Sequence, residues 1–180
     1  MLKSFESERL LYRELLPSDA EVMFEMDSNP EVHRYLGNKP VQSIEEIRKV
    51  IDMVRRQYVD NGIGRFAAIL KETGEWIGWV GLKLERNVNG HETFYDIGYR
   101  LRPEFWGKGY ATESAIAFVD YGFNVLKADK ICAYADETNK ASRRALEKAG
   151  LKYVNTFEAE LFKDDGDEKA VWYEIVNPAL

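Results

Sequence analysis

Residues 95–114 read Tyr-Asp-Ile-Gly-Tyr-Arg-Leu-Arg-Pro-Glu-Phe-Trp-Gly-Lys-Gly-Tyr-Ala-Thr-Glu-Ser, and this run constrains the fold more than any other. Its first part is rich in β-favouring side chains and stops at Pro103, which cannot donate a ladder hydrogen bond. After a bend, Gly107 and Gly109 bracket Lys108 at the mouth of a long helical pattern. The start of a helix leaves N–H groups unpaired and carries the positive end of the dipole. Glycines there remove side chains that would hold an anion away from the backbone. A strand, a tight bend and a glycine-lined helix start together form an anion cradle.

Three phosphate-binding readings compete for it. The nucleotide-hydrolase loop requires Gly-x-x-x-x-Gly-Lys-Ser/Thr, a spacing this segment lacks. The dinucleotide fingerprint requires a third glycine where Thr112 stands, and a shorter turn than residues 102–106 provide. The third reading accounts for the whole segment. Trp106-Gly107-Lys108-Gly109-Tyr110-Ala111-Thr112-Glu113, following Gly98-Tyr99-Arg100-Leu101, resembles the acetyl-coenzyme A loop of the GNAT superfamily of N-acetyltransferases. More narrowly it is similar to the branch of the RimJ and RimL ribosomal-protein acetyltransferases. A second block, Asn139-Lys140-Ala141-Ser142 followed by Leu146-Glu147-Lys148-Ala149-Gly150-Leu151, resembles the Asn-x-x-Ser…Glu-Lys-x-Gly-Phe signature of that branch. One position departs from the superfamily pattern: Glu104 stands where Arg or Gln often precedes the first glycine.

Read in order, the chain gives a strand over residues 7–14 and an amphipathic helix opening at Pro17 or Ser18, with Val22, Met23 and Met26 on one side. Asn29-Pro30 breaks that helix, and a short helical turn follows near residues 32–35. Ser43 and Glu46 make a capping box for a second helix, whose apolar side is Ile47, Val50, Ile51, Val54 and Tyr58. Strands follow over residues 64–70, 76–84 and 93–101, separated by polar turns. Gly98 lies inside the third, which predicts a bulge or a close approach by another backbone. The cradle helix runs from about Gly109 to Leu126, burying Ala111, Ala115, Phe118, Val119 and Phe123. Residues 130–135 form a strand that a helical crossover allows to lie parallel to the preceding one. Asn139 caps a last helix ending at Gly150, and strands over residues 151–162 and 170–176 are joined by a charged turn at 163–167. The expected fold is α+β. The resemblance implies a GNAT-like mixed, mostly antiparallel sheet of six to seven strands flanked by about four helices, in one domain spanning residues 1–180.

Length and charge narrow the function. At 180 residues the chain suits one core better than two. Charges scattered through residues 1–19 argue against a signal peptide, and no apolar run approaches a membrane span. A cytoplasmic protein is expected. One cysteine, Cys132, excludes an internal disulfide, and two histidines argue against a zinc site. A net charge of −6 argues against a broad nucleic-acid surface and suits a cationic acceptor.

The resemblance implies transfer of an acetyl group from acetyl-coenzyme A, as co-substrate, to an amine. An ammonium group cannot attack, so a base must take its proton, and the departing thiolate leaves more readily when protonated. The backbone of Gly107, Lys108, Gly109, Tyr110, Ala111 and Thr112 would meet the pyrophosphate, and Gly98, Tyr99, Arg100 and Leu101 would present a strand edge to the pantetheine arm. Asn139 is read either as a helix cap or as a coenzyme contact. Ser142 is the candidate proton donor to the thiol, with Tyr153 as competitor. Arg143, Arg144 and Lys148 lie on the polar side of the last helix and are candidates for the adenosine 3′-phosphate. For the base the candidate is Asp96, with Glu92 second, and an exposed strand carboxylate is the alternative for either. His33 and His91 read as surface residues and Cys132 as buried and inert. The acceptor is a protein N-terminus or a small amine, and a homodimer is allowed. A coenzyme A-binding module without catalysis and a dinucleotide-binding domain are the competing functions.

Overall fold

The computed structural model describes residues 3–159 and 169–179. Strands β1 (Ser4–Glu6), β2 (Leu10–Glu14), β3 (Phe66–Leu70), β4 (Trp76–Val88), β5 (His91–Leu101), β6 (Lys130–Asp136), β7 (Lys152–Glu158) and β8 (Lys169–Val176) alternate with helices α1 (Ala20–Asp27), α2 (Ile44–Asp60), α3 (Tyr110–Asn124) and α4 (Lys140–Lys148). They form one sheet in the order β1-β2-β3-β4-β5-β6-β8-β7, antiparallel except for β5 and β6. The sheet has eight strands among the described residues, not six to seven. The extra one is β1, which lies ahead of the strand expected over residues 7–14; residues 7–9 form instead the hairpin that joins it to β2. The far end of the predicted 151–162 strand and the 163–167 turn lie outside the described residues.

Alternate residues of a strand face opposite sides of a sheet. On β5, Tyr99 meets Ser142 of α4, while its neighbour Arg100 meets Asp27 of α1. The helix pairs α3/α4 and α1/α2 therefore cover opposite faces. Ile47, Ile51, Val54 and Tyr58 are buried along α2, as their spacing predicts, with Val50 half-buried. The expected capping box does not form: the Ser43 hydroxyl bonds the Glu46 carboxylate at 3.2 Å rather than a helix amide, and that carboxylate accepts from the Gln42 N–H at 3.3 Å rather than from the Ser43 N–H. At the end of α4, Gly150 takes φ 95°, and Leu151 N–H donates to the Leu146 carbonyl at 3.1 Å. That pair of features stops the helix as its sequence indicates.

Gly98 is not a bulge: the β4–β5 register runs unbroken through Gly81↔Gly98. A Cβ at Gly98 would lie 2.7 Å from Nη2 of Arg65, so the approaching group is a side chain, not another backbone. No helix among the described residues is long and apolar enough to cross a membrane.

Candidate active site

The parallel ladder between β5 and β6 lasts for two pairs, Tyr95↔Ile131 and Asp96↔Cys132. Beyond it, residues 97–101 keep their ladder to β4 on one side and have lost β6 on the other. A cavity of about 740 Å³ opens at that split. Its wall is the bare edge of β5, the first turn of α3, and α4. The indole Nε1 of Trp106 donates to the Leu101 carbonyl at 2.8 Å, which pins the connecting loop to the end of the strand. Gly107 and Gly109 both take left-handed backbone angles, φ 69° and 83°. The first bond of the α3 ladder runs from Glu113 N–H to the Gly109 carbonyl at 3.0 Å. The amides of Tyr110, Ala111 and Thr112 precede it and have no partner within the helix. The cradle read from the sequence is thus present as geometry.

That geometry gives a direct test. Gly109→Val puts a β-branched residue at φ 83°, with its Cβ 3.3 Å from Nη2 of Arg9. Strain of roughly 1–3 kcal/mol at such an angle should raise the coenzyme A Kd by roughly 10- to 100-fold in calorimetry. Gly74→Val, at φ 76° in an open hairpin turn, bears the same strain and should leave that affinity unchanged.

Of the residues singled out in the sequence, Asp96, Tyr99, Arg100, Leu101, Gly107, Gly109, Tyr110, Ala111, Thr112, Asn139, Ser142 and Arg144 all line this one cavity. Lys108 does not; its ammonium sits 5.5 Å from the Phe105 ring centroid. Lys148 joins Arg144 at the wall, whereas Arg143 turns away to the Tyr173 hydroxyl (3.2 Å) and the Glu137 carbonyl (3.0 Å). Glu104, the departure from pattern, is ion-paired with Arg102 at 2.8 Å. Neither Glu92 nor Tyr153 lines the cavity. Tyr153, the competing proton donor, is 53% exposed on the edge strand β7. His33 is buried, not a surface residue, with Nε2 3.7 Å from the Asp27 carboxylate.

On the α4 side, Asn139 caps its helix by accepting from Ser142 N–H at 3.1 Å, and it also borders the cavity. The Tyr99 hydroxyl donates to the Ser142 carbonyl at 2.6 Å and lies 3.1 Å from Ser142 Oγ. Burial pushes the Tyr99 phenol well above its ordinary pKa, so it stays protonated. With the phenol proton committed to a carbonyl, the Ser142 hydroxyl can donate to the phenol oxygen or to a ligand.

On the α1/α2 side, Asp96 is 4% exposed, so the exposed-carboxylate alternative fails. Its carboxylate is ion-paired with Arg65. Arg65 also donates to the Asp96 carbonyl at 2.7 Å and to the Gly81 carbonyl. Burial raises the Asp96 pKa, and the attraction of Arg65 and Lys83 only partly offsets it. Arg100 completes this side, bonding Asp27 at 2.9 Å with its guanidinium 5.3 Å from the Trp79 ring. The cavity continues past Trp79 to Tyr35, Val54 and Gln57, so one space touches both helix layers. Sequence reading missed Arg65, although a lone arginine opening the apolar run of β3 is a visible signal.

Comparison with known proteins names the fold. A family model described as "Acetyltransferase (GNAT) domain" matches residues 9–152. The chain belongs to the GNAT acetyltransferase family. YoaA of Bacillus subtilis, an N-acetyltransferase by name, is 30% identical over 178 residues, covering 99% of each chain. The spermidine N(1)-acetyltransferase of Escherichia coli is 29% identical over 150 residues, covering 83% of this chain and 76% of its own. A crystal structure of a GNAT-family acetyltransferase from Bacillus anthracis superposes with a TM-score of 0.80 at 26% identity, covering 97% of this chain and 99% of its own. The protein is an acetyl-coenzyme A-dependent acyltransferase that acetylates an amine.

Proposed function

We propose that this GNAT enzyme acts as a member of the RimJ/RimL-like branch. On this reading it is a single cytoplasmic domain that acetylates the primary amine of a protein N-terminus or a small amine by direct attack within a ternary complex. The observation that carries the proposal is the single cavity reaching from the first turn of α3 to Gln57 of α2, which gives donor and acceptor one shared space. The two sequence blocks support the branch, and the spermidine acetyltransferase relative supports a small amine.

The residues divide the work by face. The edge of residues 97–101 holds the pantetheine amides, and the amides of Gly107 and of residues 109–112 hold the pyrophosphate, with Arg144 and Lys148 near the 3′-phosphate. A backbone N–H of the same edge steadies the carbonyl oxygen as charge develops on it. Asp96 takes the proton from the ammonium, and a carboxylate of raised pKa does so better than an exposed one. As the new C–N bond forms and the C–S bond breaks, the nitrogen gives up its second proton to water, and the Ser142 hydroxyl gives its proton to the leaving sulfur and regains one from that water. Cys132 is not an acyl carrier: it is fully buried and burial pushes its thiol up to about 12.

The test is release of free thiol from acetyl-coenzyme A with N-terminal peptides and polyamines as acceptors, followed by initial-rate kinetics over both substrates. Intersecting double-reciprocal lines are expected. Parallel lines would replace direct attack by a covalent acyl-enzyme.

A further inference from the structure

The hairpin between β1 and β2 sends one side chain to the cradle from 99 residues away in sequence. Nη1 of Arg9 donates to the Lys108 carbonyl at 2.9 Å, and its guanidinium lies 4.3 Å from the Tyr110 ring centroid. Nε donates to one Glu113 oxygen and the Arg9 amide to the other, both at 2.7 Å. The Ser7 hydroxyl adds a bond of 2.6 Å to Glu113. Arg9 therefore grips the loop on both sides of Gly109. A peptide unit is planar and trans, so its C=O and the following N–H point in opposite directions. Holding the Lys108 carbonyl toward Arg9 turns the Gly109 N–H away from it. Gly109 lines the cavity, and its missing Cβ is what lets the guanidinium lie so close.

We propose that Arg9 is a positioning residue for the donor substrate: braced by Glu113, it fixes the Lys108–Gly109 peptide plane so that the Gly109 amide faces the pyrophosphate. This rests on the reading that Gly107 and residues 109–112 hold that group. The electrostatics agree. Burial alone would raise the Glu113 carboxyl, but the bonds from Ser7 and Arg9 hold it below the ordinary carboxylate value, so the brace is an ion pair at neutral pH.

The experiment compares acetyl-coenzyme A with acetyl-pantetheine, a thioester without the pyrophosphate. In Arg9→Ala the KM for acetyl-coenzyme A should rise about tenfold with kcat within about twofold. The ratio of kcat/KM between the two donors should fall by a similar factor. Arg9→Lys should recover part of it, since a lysine can reach the carbonyl or Glu113 but not both. An unchanged ratio would overturn the proposal, and if both donors lost rate equally Arg9 would be left with general structural support only. Should Arg9→Ala fail to fold, Glu113→Gln keeps the shape, removes the brace charge and must lower the same ratio. If Gly109→Val weakens coenzyme A binding and the Arg9 variants do not, the cradle stands and this inference falls. If none of them matters, the cradle reading itself fails.

Discussion

Replacing Arg65 by methionine should lower the free energy of unfolding by about 3–5 kcal/mol, the range for removing one partner of a buried ion pair. Both side chains are well covered, 13% exposed for Arg65 and 6% for Asp96, so water cannot take over the guanidinium's role. Methionine keeps much of the aliphatic stem, which confines the loss to charge and hydrogen bonds. The carboxylate loses its counter-ion, and the Gly81 and Asp96 carbonyls lose a donor. The pH dependence follows from the direction of the Asp96 shift. Burial already raises its folded pKa above the unfolded value of 3.8, and Arg65 pulls it back. Without Arg65 the folded pKa rises further, so the folded state favours the protonated acid. Stability is then retained below the unfolded pKa and lost as pH rises through the folded one. Urea titrations should show the deficit at its largest at pH 8 and shrinking toward pH 4. A deficit that does not change with pH would assign the whole effect to the two carbonyl bonds.

Asp96→Asn should lower kcat by roughly 100-fold or more, within the range a general base contributes. The amide preserves the shape and a hydrogen bond to Arg65 but leaves that guanidinium without its counter-ion, so stability should fall while the KM for acetyl-coenzyme A of the folded enzyme holds. The pH profile separates catalysis from support. In the parent enzyme kcat/KM should fall as pH drops through the raised Asp96 pKa, because the base must be ionised to accept a proton. That acidic limb should vanish in the variant. An acceptor amine with a low pKa, already neutral at the assay pH, should recover much of the lost rate, since no proton has to be removed before attack. A loss below about threefold with the limb intact would move the role of base elsewhere.

The local parts of the site were legible in the sequence because each has a local cause. Gly107 and Gly109 announce left-handed backbone, and Asn139 announces a helix cap; both are where the pattern puts them. Asp96 could be placed on its strand by period alone, but its burial could not, since that depends on Arg65 crossing from β3 through the space left by Gly98. The same limit explains Gly98, which looks like a bulge to any reading confined to one strand. The strand missed at Ser4–Glu6 is three residues long and has one face exposed, so alternation has almost nothing to register. Arg9 carries no signal at all, because the loop it grips is 99 positions further on. His33 was misplaced for a related reason: a turn residue is usually wet, but this turn folds back against Asp27.

Only two rungs join the halves of the sheet at its centre, Tyr95↔Ile131 and Asp96↔Cys132. Past them, residues 97–101 stay laddered to β4, so only the donors and acceptors that turn away from β4 face the gap, and the Leu101 carbonyl already accepts from Trp106. On the proposed reading, a guest whose amides continue that ladder would serve as a temporary strand, inserted and withdrawn once per turnover. Recognition of this kind is written in main-chain atoms, so side chains along the wedge are free to drift through evolution while the grip on the guest persists.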